Sequence, residues 1–300
     1  MSDDPSVPSP DDRQDGQSGP PPGLVLVSTP IGNLGDMTAR ATETLRAADL
    51  ILCEDTRHTA RLLSAIGVST RTQPLHEHNE DARIPAILAM LRQGKRIALV
   101  SDAGTPLVSD PGYRLVRAAI AEGLPVSAIP GANAAVTALI LSGLPPLPFL
   151  FLGFPPPRSA ARRAAFGTLR AAERAGLAAT LIWHEAPHRL AETLADMLEA
   201  FGDRQAAVAR ELTKHYEEVR RGTVATLSTH YATHAPRGEI TLLLAPPEQA
   251  DHEDLDGQLQ RALAANSVKD AAALVSAATG LPRKLVYARA LELARSGDEG

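Results

Sequence analysis

Residues 97–135 read IALVSDAGTPLVSDPGYRLVRAAIAEGLPVSAIPGANAA, and this stretch constrains the fold more than any other. An apolar run, Ile97–Val100, enters a turn of small and polar residues, Ser101-Asp102-Ala103-Gly104-Thr105-Pro106, and Asp110-Pro111-Gly112 follows. Apolar residues then recur at helical spacing from Tyr113 to Glu122. A second apolar run, Val126–Ile129, ends in Pro130-Gly131-Ala132-Asn133. Strand, helix and strand in that order make a βαβ unit, and open α/β sheets bind ligands beyond the carboxyl ends of their strands. An earlier run, Leu24–Ser28, ends in the same style with Thr29-Pro30-Ile31-Gly32-Asn33. One Pro-Gly pair is an ordinary turn. Three such loops at strand ends describe a cleft lined largely by backbone, because small residues let N–H and C=O groups approach a ligand closely.

The rest of the chain extends this pattern. Up to about Leu144, apolar strands near 24–28, 50–54, 97–101 and 126–129 alternate with helical patterns at 36–47, 56–66, 80–93, 113–122 and 132–143. That alternation predicts a parallel-sheet α/β domain. Pro145-Pro146-Leu147-Pro148 cannot continue a helix and reads as a hinge. Beyond it, strands at 149–153, 179–183, 206–210 and 239–244 with helices at 159–175, 187–201 and 213–220 predict a second α/β domain. The expected domains are 23–145 and 146–247, with a ligand between them. Residues 248–300 read as an acidic linker and three short helices near 255–265, 267–278 and 282–295, Pro282 being suited to a helix start.

Composition narrows the function. Three hundred residues, 44% of them hydrophobic, suffice for two ordinary domains. Residues 1–22 hold five Asp and one Arg among Pro, Gly and Ser, which predicts a disordered leader without the features of a signal peptide. Most of the net charge of −5 sits there, so the remainder is close to neutral and neither demands nor forbids a nucleic-acid partner. A single cysteine, Cys53, excludes an internal disulfide and a CxxC metal site. No apolar run approaches the roughly 18 residues of a membrane helix. A soluble, cytoplasmic protein with no membrane partner is expected. The sequence has no GxxxxGK[ST], and no GxGxxG follows the first strand, which argues against phosphate-loop and dinucleotide-binding enzymes. His184-Glu185-Ala186-Pro187-His188 matches HExxH, but that motif needs both histidines on one helix face, and Pro187 would break the helix. Pro187 belongs in a first turn, and no metal is expected.

TPIGNLGDMTARA, CEDTRHT, LHEHNE, SDAGTPLVSDPG, IPGANAA, HEAPHRL, ARELTKHYEEV and GEITLLL follow one another from about Gly23 onward. Together they resemble the tetrapyrrole-methylase-like (class III) S-adenosylmethionine methyltransferases. The resemblance implies a class III fold, two α/β domains with a cleft between them plus a short helix-turn-helix-like tail. It also implies S-adenosylmethionine as cofactor and a homodimer. Within the family the motifs are similar to the branch that methylates the 2′-oxygen of a cytidine in small-subunit (16S) rRNA, met naked or in the assembled subunit. The implied cofactor contacts are Pro30, Asp102, Gly104, Thr105, Val108, Gly131, Asn133, Ala134 and Ile240, with Ala132 and Asp110 beside them. Thr105 stands where many relatives carry an aspartate.

Methyl transfer to a ribose hydroxyl needs an in-line oxygen, a proton acceptor and exclusion of water. Asp55, His76, Glu185, Glu211 and Lys214 are the catalytic candidates, and which takes the proton is left open. Lys214 serves as a base only if burial lowers its pKa. Thr56 is expected to cap the helix it opens, turning Asp55 and Arg57 toward the cleft. Glu185 is expected at the interdomain cleft, and His76-Glu77-His78-Asn79 as a polar loop closing it. For RNA phosphates the candidates are Arg57, Arg158, Arg162, Arg163, Arg283 and Lys284, with Arg170 and Arg174 in the same basic run. A solvated helix face would carry the same arginines. With 3% aromatics, phosphate and shape reading is expected over base stacking. Two alternatives stay open: the same fold acting on a tetrapyrrole or other small molecule, and a non-catalytic RNA-binding relative.

Overall fold

A computed structural model describes residues 22–247 and 252–297; the expected leader up to residue 21 and the linker residues 248–251 lie outside the described residues. The chain folds as two compact units, one up to Asn133 and one from Ala134.

The first unit carries strands β1 (Gly23–Val27), β2 (Leu50–Cys53), β3 (Thr72–Pro74), β4 (Arg96–Val100) and β5 (Val126–Ile129) in the order β3-β2-β4-β1-β5. All four pairings are parallel. The connections are α1 (Ala39–Ala47), α2 (Thr56–Ala65), α3 (Glu80–Arg92) and α4 (Tyr113–Ala121). Successive strand residues point to opposite faces, and both faces are apolar. Leu24, Leu50, Leu52, Ile97 and Leu99 pack with α3 and α4. Val25, Val27, Ile51, Cys53, Ala98 and Val100 pack with α1 and α2. The sequence pattern did not reveal β3, which is three residues long and ends in proline. It lies at the sheet edge, where a proline does not interrupt a central ladder.

The second unit contains α5 (Ala134–Ser142), β6 (Phe149–Phe151), α6 (Ser159–Arg174), β7 (Thr180–Glu185), α7 (Leu190–Phe201), β8 (Gln205–Arg210), β9 (Glu218–Thr223), α8 (Val224–Thr233) and β10 (Ile240–Leu244). Its sheet runs β6-β7-β10-β8-β9, with β6 and β7 parallel and the other pairs antiparallel. Helices α6–α8 cover one face over Phe166, Trp183 and Phe201, whose ring centroids lie 5.3–6.4 Å apart. Helix α5 packs on β8 and β10. The division therefore falls before α5, not after residue 145, and the Pro145–Pro148 segment lies inside the second unit. The helix expected at 213–220 is also corrected: a turn there leads into β9, which pairs with β8 from Gln205↔Thr223 to Arg210↔Glu218. Pro187 opens a single 3-10 turn before α7.

Helix α6 corrects a further expectation. Arg162, expected to meet phosphate, is fully buried. Its Nε donates to Asp196 Oδ2 at 2.7 Å, and Nη2 makes an ionic contact with the same oxygen at 2.6 Å. Arg163 approaches Asp196 and Glu199 at 3.6 and 4.0 Å, and Arg170 and Arg204 share Glu173, each at 3.0 Å. These arginines tie α6 to its own unit. Removing one partner of a buried pair strands the other charge.

The tail forms α9 (His252–Leu263), α10 (Val268–Thr279) and α11 (Arg283–Gly297). Leu255, Leu259, Ala272, Val275, Val286 and Ala290 make its own small core. Ser267 caps α10, and left-handed Gly280 ends it. Arg289 is held by Asp256 and Glu292, whereas Arg283 and Lys284 are exposed.

Arg162→Ala is expected to lower stability by about 3–5 kcal/mol, read as a fall in the urea midpoint. Arg158→Ala, at an exposed position, should stay within about 0.5 kcal/mol. Equal effects would contradict the burial assignment.

Candidate active site

Because every strand of the first unit runs the same way, one edge of the sheet receives all the carboxyl-end loops. Three of them are stitched together. Thr29 and Gly104 exchange backbone hydrogen bonds at 2.9 and 3.2 Å. The Thr29 hydroxyl donates to the Ser101 carbonyl (3.2 Å), and Ser101 Oγ donates to the Gly104 carbonyl (2.8 Å). Thr105 Oγ1 donates to the Ala132 carbonyl (3.1 Å) and lies 3.4 Å from Asn133 Nδ2. Gly104 has φ +83°, and a Cβ at Gly131 would come within 2.8 Å of Ser28 Cβ. Leu107 and Ser109 hold left-handed backbone (φ 69° and 74°) without being glycine. Such residues cost on the order of 1–3 kcal/mol each and gather at ligand sites.

Carboxylates flank these loops. Asp55, not Thr56, is the N-cap of α2, and its Oδ1 accepts the Arg57 N–H at 2.8 Å. The Arg57 guanidinium adds contacts of 3.3 and 3.0 Å. These bonds hold the Asp55 carboxyl at about 2, so it is a weak base. Asp102 Oδ1 accepts the Asp55 N–H at 3.3 Å. Burial, aided by the negative charges of Glu54 and Asp102, pushes Asp110 up to about 6. His76 follows β3, half-buried, with its ring against Asn79.

In the second unit, strand register sets Glu185, Ile240, Arg210 and Glu218 in one row across β7, β10, β8 and β9. Glu185 is buried. It accepts from the Ala186 N–H (2.7 Å), Arg189 Nε (2.7 Å) and Thr193 Oγ1 (2.6 Å). Its carboxylate is thus engaged by partners within its own unit. Glu211 and Thr213, with φ of 52° and 64°, make the turn after β8. Lys214 Nζ lies 2.9 Å from Glu211 and 3.0 Å from Glu239, and Glu211 also accepts the Glu239 N–H at 2.9 Å. Gly238 makes room for this, because a Cβ there would collide with the Glu211 carboxylate. Burial alone lowers the Lys214 pKa, but its two carboxylate partners outweigh it and raise the pKa above the ordinary value. Burial likewise raises Glu211, and the Glu239 N–H and Lys214 outweigh it, leaving it below the usual range. Lys214 is thus a held cation rather than a proton acceptor.

Residues 23–228 match the family model for tetrapyrrole (corrin/porphyrin) methylases, and residues 249–294 match that of the RsmI C-terminal HTH domain. Ribosomal RNA small subunit methyltransferase I of Mesorhizobium japonicum is 47% identical over 283 residues, covering 93% of this chain and 95% of its own. The protein of that name from Micromonospora olivasterospora is 46% identical over 285 residues, covering 92% and 89%. The chain belongs to the tetrapyrrole methylase family. A crystal structure of diphthine synthase shares the fold, with a TM-score of 0.57 at 15% identity over 74% of this chain and 89% of that one. The tetrapyrrole methylase family comprises S-adenosylmethionine-dependent methyltransferases of class III.

Against this tetrapyrrole methylase frame, Pro30, Asp102, Gly104, Thr105, Val108, Gly131 and Asn133 all lie in the stitched loops of the first unit. Ala134 opens α5 in the second unit, where buried Ile240 sits between Glu185 and Arg210. Sequence reasoning missed Glu54, Gly238 and Glu239, and it placed Asn79 in a polar loop without its bonds to His76. Glu54 was visible as the neighbour of Asp55, but Gly238 and Glu239 act through contacts between segments far apart.

A carbon-13 carboxyl titration is expected to find Asp110 ionising near pH 6, and Asp102→Asn should move that value down. The native state holds this proton to higher pH than the unfolded chain does. The corresponding stability is complete below the unfolded value of 3.8 and is lost as pH rises through about 6. An ordinary Asp110 titration would contradict the assigned burial and charge environment.

Proposed function

We propose that the chain transfers a methyl group from S-adenosylmethionine to the 2′-oxygen of a cytidine in small-subunit (16S) rRNA, in the cytoplasm and as a homodimer. The observation that carries this reading is identity of 46–47% to proteins named ribosomal RNA small subunit methyltransferase I, extending over about nine-tenths of the chain. The helix-turn-helix match beyond the methylase region favours a nucleic-acid substrate over a tetrapyrrole. Among the described residues no helix is long and apolar enough to cross a membrane. Large exposed apolar side chains, Tyr113 and Ile120 on α4 and Ile140 on α5, support a second copy as partner.

The stitched loops fit such a cofactor. Gly104 and Gly131 leave backbone where a Cβ would crowd its neighbours, and Glu54, Asp102 and Asp110 place negative charge beside them. When bound, S-adenosylmethionine supplies an electrophilic methyl group on a cationic sulfonium. The chain's part is to bind, to orient and to supply a field. Lys214 stays protonated and offers positive charge toward developing or resident anions. Asp55 stays ionised over the working range and offers a carboxylate oxygen, though a weakly basic one. Arg57, Arg158, Arg283 and Lys284 remain the exposed candidates for phosphate, and Arg163 is a weaker one because of its acidic neighbours.

Small subunits from a strain lacking the gene, incubated with the protein and methyl-labelled cofactor, test the reading. Label is expected in an alkali-resistant dinucleotide containing cytidine, since a 2′-O-methyl group blocks cleavage of the adjoining phosphodiester. Label on a fully cleaved nucleotide would move the reaction to a base. No label, despite cofactor binding, would leave a small-molecule acceptor or a relative without activity. Calorimetry is also expected to show S-adenosylmethionine binding more tightly as pH rises through about 6 and Asp110 ionises. S-adenosylhomocysteine, which lacks the sulfonium charge, should show a shallower dependence.

A further inference from the structure

Asn79 occupies the N-cap of α3, where an asparagine side chain ordinarily accepts a backbone N–H of the first turn. Here it makes no such bond. Its Oδ1 accepts the His76 N–H at 3.0 Å, and its Nδ2 donates to the Pro74 carbonyl at 3.3 Å. These two partners fix which end of the amide is oxygen. Turning it over would set NH2 against N–H, and oxygen against a carbonyl. The same Nδ2 lies 3.0 Å from His76 Nε2. Since Nδ2 is a donor, Nε2 has to accept, and the neutral ring carries its proton on Nδ1. Nδ1 is shielded from water and meets no hydrogen-bond partner among the described residues. A buried donor left unpaired is destabilising, and so is a forgone helix cap. The fold bears both in one turn, at the carboxyl edge of the sheet beside Glu54 and Asp55, where Leu75 N–H still pairs with the Cys53 carbonyl.

We propose that Asn79 locks His76 as a hydrogen-bond donor, and that an oxygen of the bound cofactor or RNA satisfies its Nδ1–H. This rests on the methyltransferase reading and removes His76 from the candidate bases. The Nε2 lone pair is engaged by Asn79, and Nδ1 already holds a proton, so neither nitrogen is open to the proton of a ribose hydroxyl. Asn79 is a positioning residue and acts through His76.

Nitrogen-15 NMR of the full chain without ligand tests the tautomer independently of any activity, with His76→Asn identifying the resonance among nine histidines. An Nδ1-protonated ring is expected. Asn79→Asp, which sets a carboxylate oxygen against Nε2, should move the proton there. An Nε2-protonated ring in the unaltered protein would overturn the proposal. In methyl transfer, His76→Asn places an amide N–H near the lost Nδ1–H and should retain activity within about tenfold. His76→Ala and His76→Gln should lose on the order of a hundredfold, as when a single aimed donor is removed. Weaker cofactor binding in His76→Ala would put the oxygen in the cofactor, and a higher KM for subunits would put it in the RNA; both support the donor role. If His76→Asn is as inactive as His76→Ala, and both lose the acidic limb of the pH profile, His76 is a base and the proposal fails. If even the unaltered protein methylates no subunits, the proposed function falls, while the NMR result still decides the tautomer.

Discussion

Thr29 and Gly104 exchange two backbone hydrogen bonds just beyond the point where β1 and β4 stop pairing. The layout of the first unit's loops depends on that exchange. It joins the ends of two adjacent strands, so the loops they carry cannot part without breaking backbone contacts. Ser101 and Thr105 add side-chain bonds to the Gly104 and Ala132 carbonyls, which brings the β5 loop into the same structure. The left-handed positions Leu107 and Ser109 follow within the same β4 loop, and strained conformations of this kind persist where the surrounding structure holds them. The parallel sheet supplies the edge, and these bonds give it a fixed shape.

Much of the fold was legible because its cues are local. Leu50–Cys53, Ile97–Val100 and Val126–Ile129 are short apolar runs bounded by turns, and each is a strand. What escaped depends on distant partners. Glu-Glu-Val-Arg-Arg at 217–221 carries no strand alternation of its own, yet residues 218–221 belong to β9 because β8 offers a ladder for them. Helix α5 was evident as a helix, but which unit it joins depends on β8 and β10, more than sixty residues later. The three loops of the site were equally visible. The chemistry of its charged groups was not, since a carboxylate's proton affinity depends on neighbours that only folding supplies.

The arginines show the same limit. In sequence, α6 is an almost purely basic helix and invites a phosphate. In the fold, Asp196 and Glu199, from a helix some thirty residues on, meet Arg162 and Arg163. An excess of one charge within a segment thus says little until the facing segment is known. The tail is different in this respect. Arg289 takes up Asp256 and Glu292, and Arg283 and Lys284 stand exposed at the start of α11.

Gly238 and Glu211 carry a consequence for divergence. The glycine's bare Cα and the glutamate's carboxylate occupy space that only one side chain can fill. The two positions are therefore one unit of variation, though 27 residues separate them. A side chain at 238, already strained by the left-handed backbone, needs Glu211 to shorten or to swing away. That change would also remove one of the two acids from Lys214, leaving the lysine to Glu239 alone. Drift at an apparently neutral turn glycine is in this way tied to the charge state of a neighbouring cation.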